Sequence, residues 1–159
     1  TTNVTGIITY NLSKNVTLKG TIRNSTVNGT SSTDAKVEAT LTPIDKLTIY
    51  GKIYQPFNGG KTELYANLSS TYINNLNLYT AIYYGNGSYL YLNTLYNLYK
   101  NLNLRGIYQL LNDGSTTHST YYLALELNNA SLYFGKAPDA EGTSTDFVKQ
   151  IGAKISFDF

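Results

Sequence analysis

The chain of 159 residues contains no cysteine, one histidine, and only 14% charged residues. The lack of Cys excludes a disulfide scaffold and a Cys-ligated metal site, and leaves the compartment open. A net charge of +2 is too small and too scattered for a nucleic-acid surface, so no nucleic-acid partner is expected. No stretch approaches the ~20 consecutive apolar residues of a membrane helix. An initiator Met and a signal peptide are also lacking. A start at Thr1 fits a processed mature protein or an excised fragment. The one histidine, His118, lies in a Gly/Ser/Thr loop beside Asp113. A Ser-His-Asp site would need a strained nucleophile turn and a fixed carboxylate partner, and the sequence signals neither. No enzyme is expected. Asp139, Glu141 and Asp146 offer carboxylate oxygens for Ca²⁺, but their irregular spacing fits solvated loop charges better. No metal and no cofactor is expected.

What is present is strand-forming. Hydrophobic residues make up 42%, with 16 Tyr and many Thr and Asn. Tyr and Thr favour strands, and Asn and Gly favour the turns between them. Turn signals divide a single domain, 1–159, into strands near 3–12, 16–27, 34–42, 47–56, 62–73, 76–85, 89–98, 102–112, 120–127, 130–136 and 148–159. Tight connections are expected at 13–15, 43–46, 74–75, 99–101 and 128–129. Looser Gly/Ser/Thr-rich ones are expected at 28–33, 57–60, 86–88, 113–119 and 137–147. All strand-to-strand steps are neighbour hairpins. A weak repeat of about 28 residues supports this. Tyr10-Asn-Leu-Ser-Lys-Asn-Val-Thr-Leu-Lys-Gly20 matches Tyr96-Asn-Leu-Tyr-Lys-Asn-Leu-Asn-Leu-Arg-Gly106, and Thr42 to Gly51 is a looser copy.

The charges follow the strand period. Lys19, Arg23, Lys36, Glu38, Lys52, Glu63, Arg105, Glu126, Lys154 and Asp158 all oppose the Leu/Ile/Val face. Random sides would agree this well about once in a thousand. Leu18, Leu47, Ile49, Leu78, Leu92, Leu104, Leu125 and Ile155 mark the apolar face. That face must meet another sheet or lipid.

An up-and-down meander with alternating short and long connections resembles bacterial outer-membrane β-barrels of the porin type. Ile151, Ala153, Ile155, Phe157 and the terminal Phe159 strengthen the likeness. They are similar to the closing strand that such barrels present to the outer-membrane assembly machinery. The resemblance covers the whole chain as a pattern. It implies an all-β, antiparallel transmembrane barrel in the outer membrane, with the lipid bilayer and that machinery as partners, and is compatible with a homo-oligomer. Tyr10, Tyr72 and Tyr96 near one rim, and Tyr84, Tyr108 and Tyr121 near the other, suit two aromatic girdles. Bacterial single-chain barrels use even strand numbers. A count of about 11–12 therefore points to a missing N-terminal strand, a miscounted one, or strands from other chains.

The implied role is a passive diffusion channel for small solutes. Its lining would be Lys19, Arg23, Lys36, Glu38, Lys52, Glu63, Arg105, Glu126 and Lys154, together with Tyr65, Tyr79, Tyr83 and Tyr91. Bases exceed acids in that set, which favours anions unless the charges pair internally. Tyr50, Tyr54, Tyr89, Tyr122 and Tyr133 share the polar face. Such rings either form a stacking track for flat solutes or fill a narrow interior. The competing readings are a β-sandwich, a secreted or surface-layer subunit, and a filled barrel acting as an anchor. Eight Asn-X-Ser/Thr sequons, at Asn3, Asn11, Asn15, Asn24, Asn28, Asn67, Asn86 and Asn129, are weak support for glycosylation in so Asn-rich a chain.

Overall fold

The computed structural model describes residues 1–128, 130–135 and 151–155, with Lys154 and Ile155 as backbone only. Period-2 sequence becomes strand throughout, and no helix occurs among the described residues. The strands are β1 (Thr2–Ser13), β2 (Val16–Val27), β3 (Thr30–Leu41), β4 (Leu47–Pro56), β5 (Glu63–Ser70) and β6 (Leu76–Tyr84). They continue as β7 (Ser88–Tyr99), β8 (Leu102–Asn112), β9 (Thr117–Leu127), β10 (Ala130–Gly135) and β11 (Ile151–Ile155). They form one 11-stranded sheet in chain order, and each neighbouring pair is antiparallel. The sheet is open. Among the described residues β1 and β11 are its edges and do not pair with each other. The final strand expected through Phe159 is described only over Ile151–Ile155; Asp158, Phe159 and the 137–147 loop with Asp139, Glu141 and Asp146 lie outside the described residues.

The expected alternation of tight and loose connections is corrected at both ends. Residues 28–33 are not a loop: Val27 pairs with Thr30 across a two-residue Asn28-Gly29 turn. Asn28 (φ 50°) and Gly29 (φ 81°) are both left-handed, as a type I′ hairpin requires. Two connections expected to be tight are five residues long, spanning 42–46 and 71–75. Each closes on a turn bond, with the Leu47 amide donating to the Ile44 carbonyl at 3.3 Å and the Leu76 amide to the Ile73 carbonyl at 3.1 Å. Lys46 (φ 65°) and Asn75 (φ 64°) take the left-handed position in the two turns.

The repeat is structural. Register shifts between Asn11 and Ser13 in one copy, and between Asn97 and Tyr99 in the other. These are equivalent positions in the aligned segments, so both copies carry the same extra residue before the same two-residue turn. The cross-strand polar pair repeats too: Thr17 Oγ1 donates to Asn11 Oδ1 at 3.0 Å, and Asn97 Nδ2 donates to Asn103 Oδ1 at 2.9 Å.

The two faces differ in burial, and the polar one is the more enclosed. On it, Gln109, Thr120, Ala81 and Ala124 are 5% exposed or less. On the other, Ile82 is 54%, Leu123 52% and Leu132 60% exposed. Small residues on this face are covered by the long side chains beside them, Ala124 lying between Arg105 and Tyr133 and Ala81 next to Tyr91, as on the inner side of a curved sheet. The apolar face is therefore convex and uncovered. The β-sandwich expectation needs two facing sheets, and the described strands make one.

Candidate functional site

Strand pairing places the charges together. One row runs Lys19–Glu38–Lys52–Tyr65–Tyr83–Tyr89 across β2 to β7. The next row along holds Thr21, Lys36, Tyr54 and Glu63. Arg105 on β8 lies opposite Ala124, and Glu126 on β9 opposite Asn103. Tyr50, Tyr79, Tyr91, Tyr122 and Tyr133 fall on this same polar face. For Lys154 the backbone register alone is defined, opposite Ser131.

Most charges on this face are paired. Arg23 donates to Asp34 Oδ2 from Nη2 at 2.7 Å and from Nε at 3.0 Å. Arg105 Nε donates to Glu126 Oε1 at 2.8 Å. Glu38 takes the Tyr50 hydroxyl on Oε1 at 2.5 Å, while Oε2 has the Lys36 ammonium at 3.0 Å and the Lys19 ammonium at 3.9 Å. Ion pairing was expected between Lys36 or Lys52 and Glu38 or Glu63. Lys36 takes that role, and Lys52 lies instead over the Tyr65 ring, 5.7 Å from its centroid.

Asp34 is the residue missed by the sequence reading. It shares the parity of Lys36 and Glu38 on β3 and belongs to the polar face. Its position at the margin of a turn signal disguised it, although parity alone would have found it. With Asp34 included, the described polar-face strands carry five cations (Lys19, Arg23, Lys36, Lys52, Arg105) against four carboxylates (Asp34, Glu38, Glu63, Glu126). The excess is local. β2 to β4 hold four of those cations and two of the carboxylates.

The tyrosines form a run of four and two further pairs on this face. Tyr50 and Tyr65 meet edge to face at 6.0 Å, and the Tyr65 and Tyr79 hydroxyls are 2.9 Å apart. Tyr79 meets Tyr91 at 6.0 Å. Tyr83 stacks on Tyr89 at 5.5 Å, and Tyr122 on Tyr133 at 5.8 Å. Asn67 Nδ2 donates to the Tyr65 hydroxyl at 3.1 Å, and Asn93 Nδ2 to the Tyr91 hydroxyl at 3.3 Å. Each of these rings is half-buried. They narrow the concave face while leaving ring surface open to it.

The connection expected at 113–119 is only 113–116, and His118 lies on β9 beside it, opposite Leu111. Asp113 Oδ1 accepts from the amides of Ser115 at 2.9 Å and Thr116 at 2.8 Å, and from the Ser115 hydroxyl at 2.7 Å. These bonds hold the carboxyl well below the usual carboxylate range. Thr116 Oγ1 donates to Asp113 Oδ2 at 3.1 Å and lies 2.7 Å from His118 Nε2. That hydroxyl has one proton, so in this arrangement His118 Nε2 donates to Thr116. The link from histidine to carboxylate thus passes through a threonine hydroxyl whose one proton is directed at Asp113, and the carboxylate serves the turn. Among the described residues, no group of three or more His, Cys, Asp or Glu could hold a metal ion.

No family model, curated protein or solved structure matches this chain.

Proposed function

We propose that this sheet is the wall of a transmembrane β-barrel in a bacterial outer membrane. Its polar face lines a lumen, and its role is passive diffusion of small solutes with a weak preference for anions. One observation carries the reading: a single sheet leaves its Leu/Ile/Val face uncovered, while the charges within the described strands all lie on the opposite face. Water disfavours such an apolar face and hydrocarbon accepts it. Hydrocarbon also forbids unpaired backbone, so the free edges of β1 and β11 must be closed. With eleven antiparallel neighbours, these two edges run in the same direction and cannot pair antiparallel. Strands from outside the described residues complete the wall in this proposal, in keeping with the even count of bacterial barrels.

Planar-bilayer recording tests the channel. The reconstituted protein should conduct, passing anions more readily than cations, and the preference should shrink as salt shortens the reach of the lining charges. Lys52→Glu combined with Arg105→Glu should move selectivity toward cations. Folded, inserted protein that carries no current would overturn the channel. The run of tyrosines, with Tyr65 and Tyr79 hydroxyls at 2.9 Å, favours a second reading in that event: a filled barrel that anchors something by its loops.

A further inference from the structure

We propose that the polar face across β2 to β5 is a binding site for a small organic anion bearing a flat ring. Lys52 and Lys19 hold the charge, and Tyr65 and Tyr50 receive the ring. The proposal rests on the barrel reading to the extent that the lumen is what brings solutes to this face.

Glu38 lies between Lys19 and Lys52 in the cross-strand row. Its oxygens are already engaged by the Tyr50 hydroxyl at 2.5 Å and the Lys36 ammonium at 3.0 Å. Lys19 stands off at 3.9 Å. Lys52 is directly opposite Glu38 in register, yet among the described residues no carboxylate lies within ion-pair distance of its ammonium. It turns to the Tyr65 ring instead, with Nζ 5.7 Å from the centroid. Glu38 therefore pairs closely with Lys36, at longer range with Lys19, and not with Lys52. Positive charge is left over at a half-buried place, where screening is weaker than in open water.

The adjoining rings decide what kind of anion fits. Tyr50 and Tyr65 meet edge to face at 6.0 Å and border Lys52 on β4 and β5. An inorganic anion would use the lysines and leave the rings idle. A neutral aromatic would use the rings and leave the charge uncompensated. A ring carrying a carboxylate satisfies both, displacing water from the tyrosine faces while its oxygens accept from Lys52. A planar carboxylate of benzoate size is the smallest probe of that class.

The test is equilibrium binding to the chain refolded in detergent micelles, with strand content of each variant checked by circular dichroism. Benzoate should bind, and its affinity should drop tenfold or more in Lys52→Gln and again in Tyr65→Leu. Lys52→Arg should keep most of it. Lys100→Gln should bind normally, although Lys100 also sits over a tyrosine, 5.2 Å from the Tyr99 centroid, because that pair lies at a turn. Benzoate affinity unchanged in both Lys52→Gln and Tyr65→Leu would overturn the site, as would benzyl alcohol binding as tightly as benzoate. Inorganic phosphate competing as well as benzoate would remove the ring from the proposal and overturn it in this form. Binding in micelles needs no open pore. Protein that binds benzoate but carries no current loses the channel and keeps the site, whereas protein that conducts chloride and binds no benzoate loses the site and keeps the channel.

Discussion

Neighbouring residues on one strand lie on opposite faces of the sheet, as Asn103 and Leu104 on β8 do. Leu104 is 37% exposed on the convex face, while Asn103 accepts from Asn97 on the concave face at 2.9 Å. In a lipid-facing wall, Leu104→Arg should cost about 2–4 kcal/mol at mid-bilayer depth. Asn103→Arg should cost far less, since it adds a base to a face already bearing Arg105. Heat-modifiable gel mobility of the refolded variants reads the difference, and equal tolerance would count against lipid on the convex face. Asp113 gives a second residue-scale expectation. Its folded carboxyl titrates below its unfolded one because three donors stabilise the anion. The turn is therefore supported above the ordinary carboxylate range, and that support disappears as pH falls through the depressed folded value. Amide exchange at Ser115 and Thr116 should stay slow at pH 5 and above in the native chain. In Asp113→Ala it should be fast at every pH. Slow exchange in that variant would mean the carboxylate does not hold the turn.

At the scale of the element, strand identity was easy to read and strand ends were not. β2 spans the expected 16–27, because apolar alternation on one face allows only one register. β3 begins four residues earlier than the expected 34, at Thr30. Ser31, Ser32 and Thr33 suggested a loop by composition, but the Asn28-Gly29 turn pulls them into the ladder. Turn chemistry outweighed composition there. Gly29→Val should therefore cost about 1–2 kcal/mol, the penalty of a left-handed β-branched residue. Asn28→Gly should be near neutral. Urea unfolding of the refolded protein compares them, and equal midpoints for Gly29→Val and the native chain would contradict the hairpin. The bulges before the 14–15 and 100–101 turns escaped the reading altogether. Leu12 and Leu98 keep the alternation of a regular strand, and only pairing with the opposite strand shows one residue too many.

The whole molecule poses the problem of its uncovered surface. Convex residues such as Ile22 at 61%, Val37 at 56% and Ile82 at 54% exposure make a patch far beyond what a dispersed soluble monomer shows. Sedimentation velocity should find the protein monodisperse in detergent micelles and aggregated on detergent removal. Monodispersity in plain buffer would require another cover for this face and would defeat the membrane reading. β1 adds to the problem, since every residue from Thr2 to Ser13 is exposed and one backbone edge is unpaired. Long open edges of this kind recruit further strands, which is the reason for placing additional wall beside β1 rather than closing it on β11.

The sequence by itself determined the all-β meander, its eleven strands and the sorting of charge to one face. Those follow from local rules: a period of two, turn residues between runs, and short links that join only neighbours. The candidate polar-face residues were legible for the same reason; Asp34, the first residue of the expected strand 34–42, shares the parity of Lys36 and Glu38 and was passed over at the edge of the turn signal. Tertiary structure decided what parity cannot express. Curvature made the polar face the enclosed one, a property of the summed twist of many strands rather than of any one of them. Side-chain placement paired Glu38 with Lys36, two residues away on the same strand, rather than with Lys52 directly opposite, and reach across strands turned Lys52 onto Tyr65 and brought tyrosines of neighbouring strands together. The open edges are likewise a property of the assembled sheet, because pairing is a relation between strands that no single strand's sequence contains.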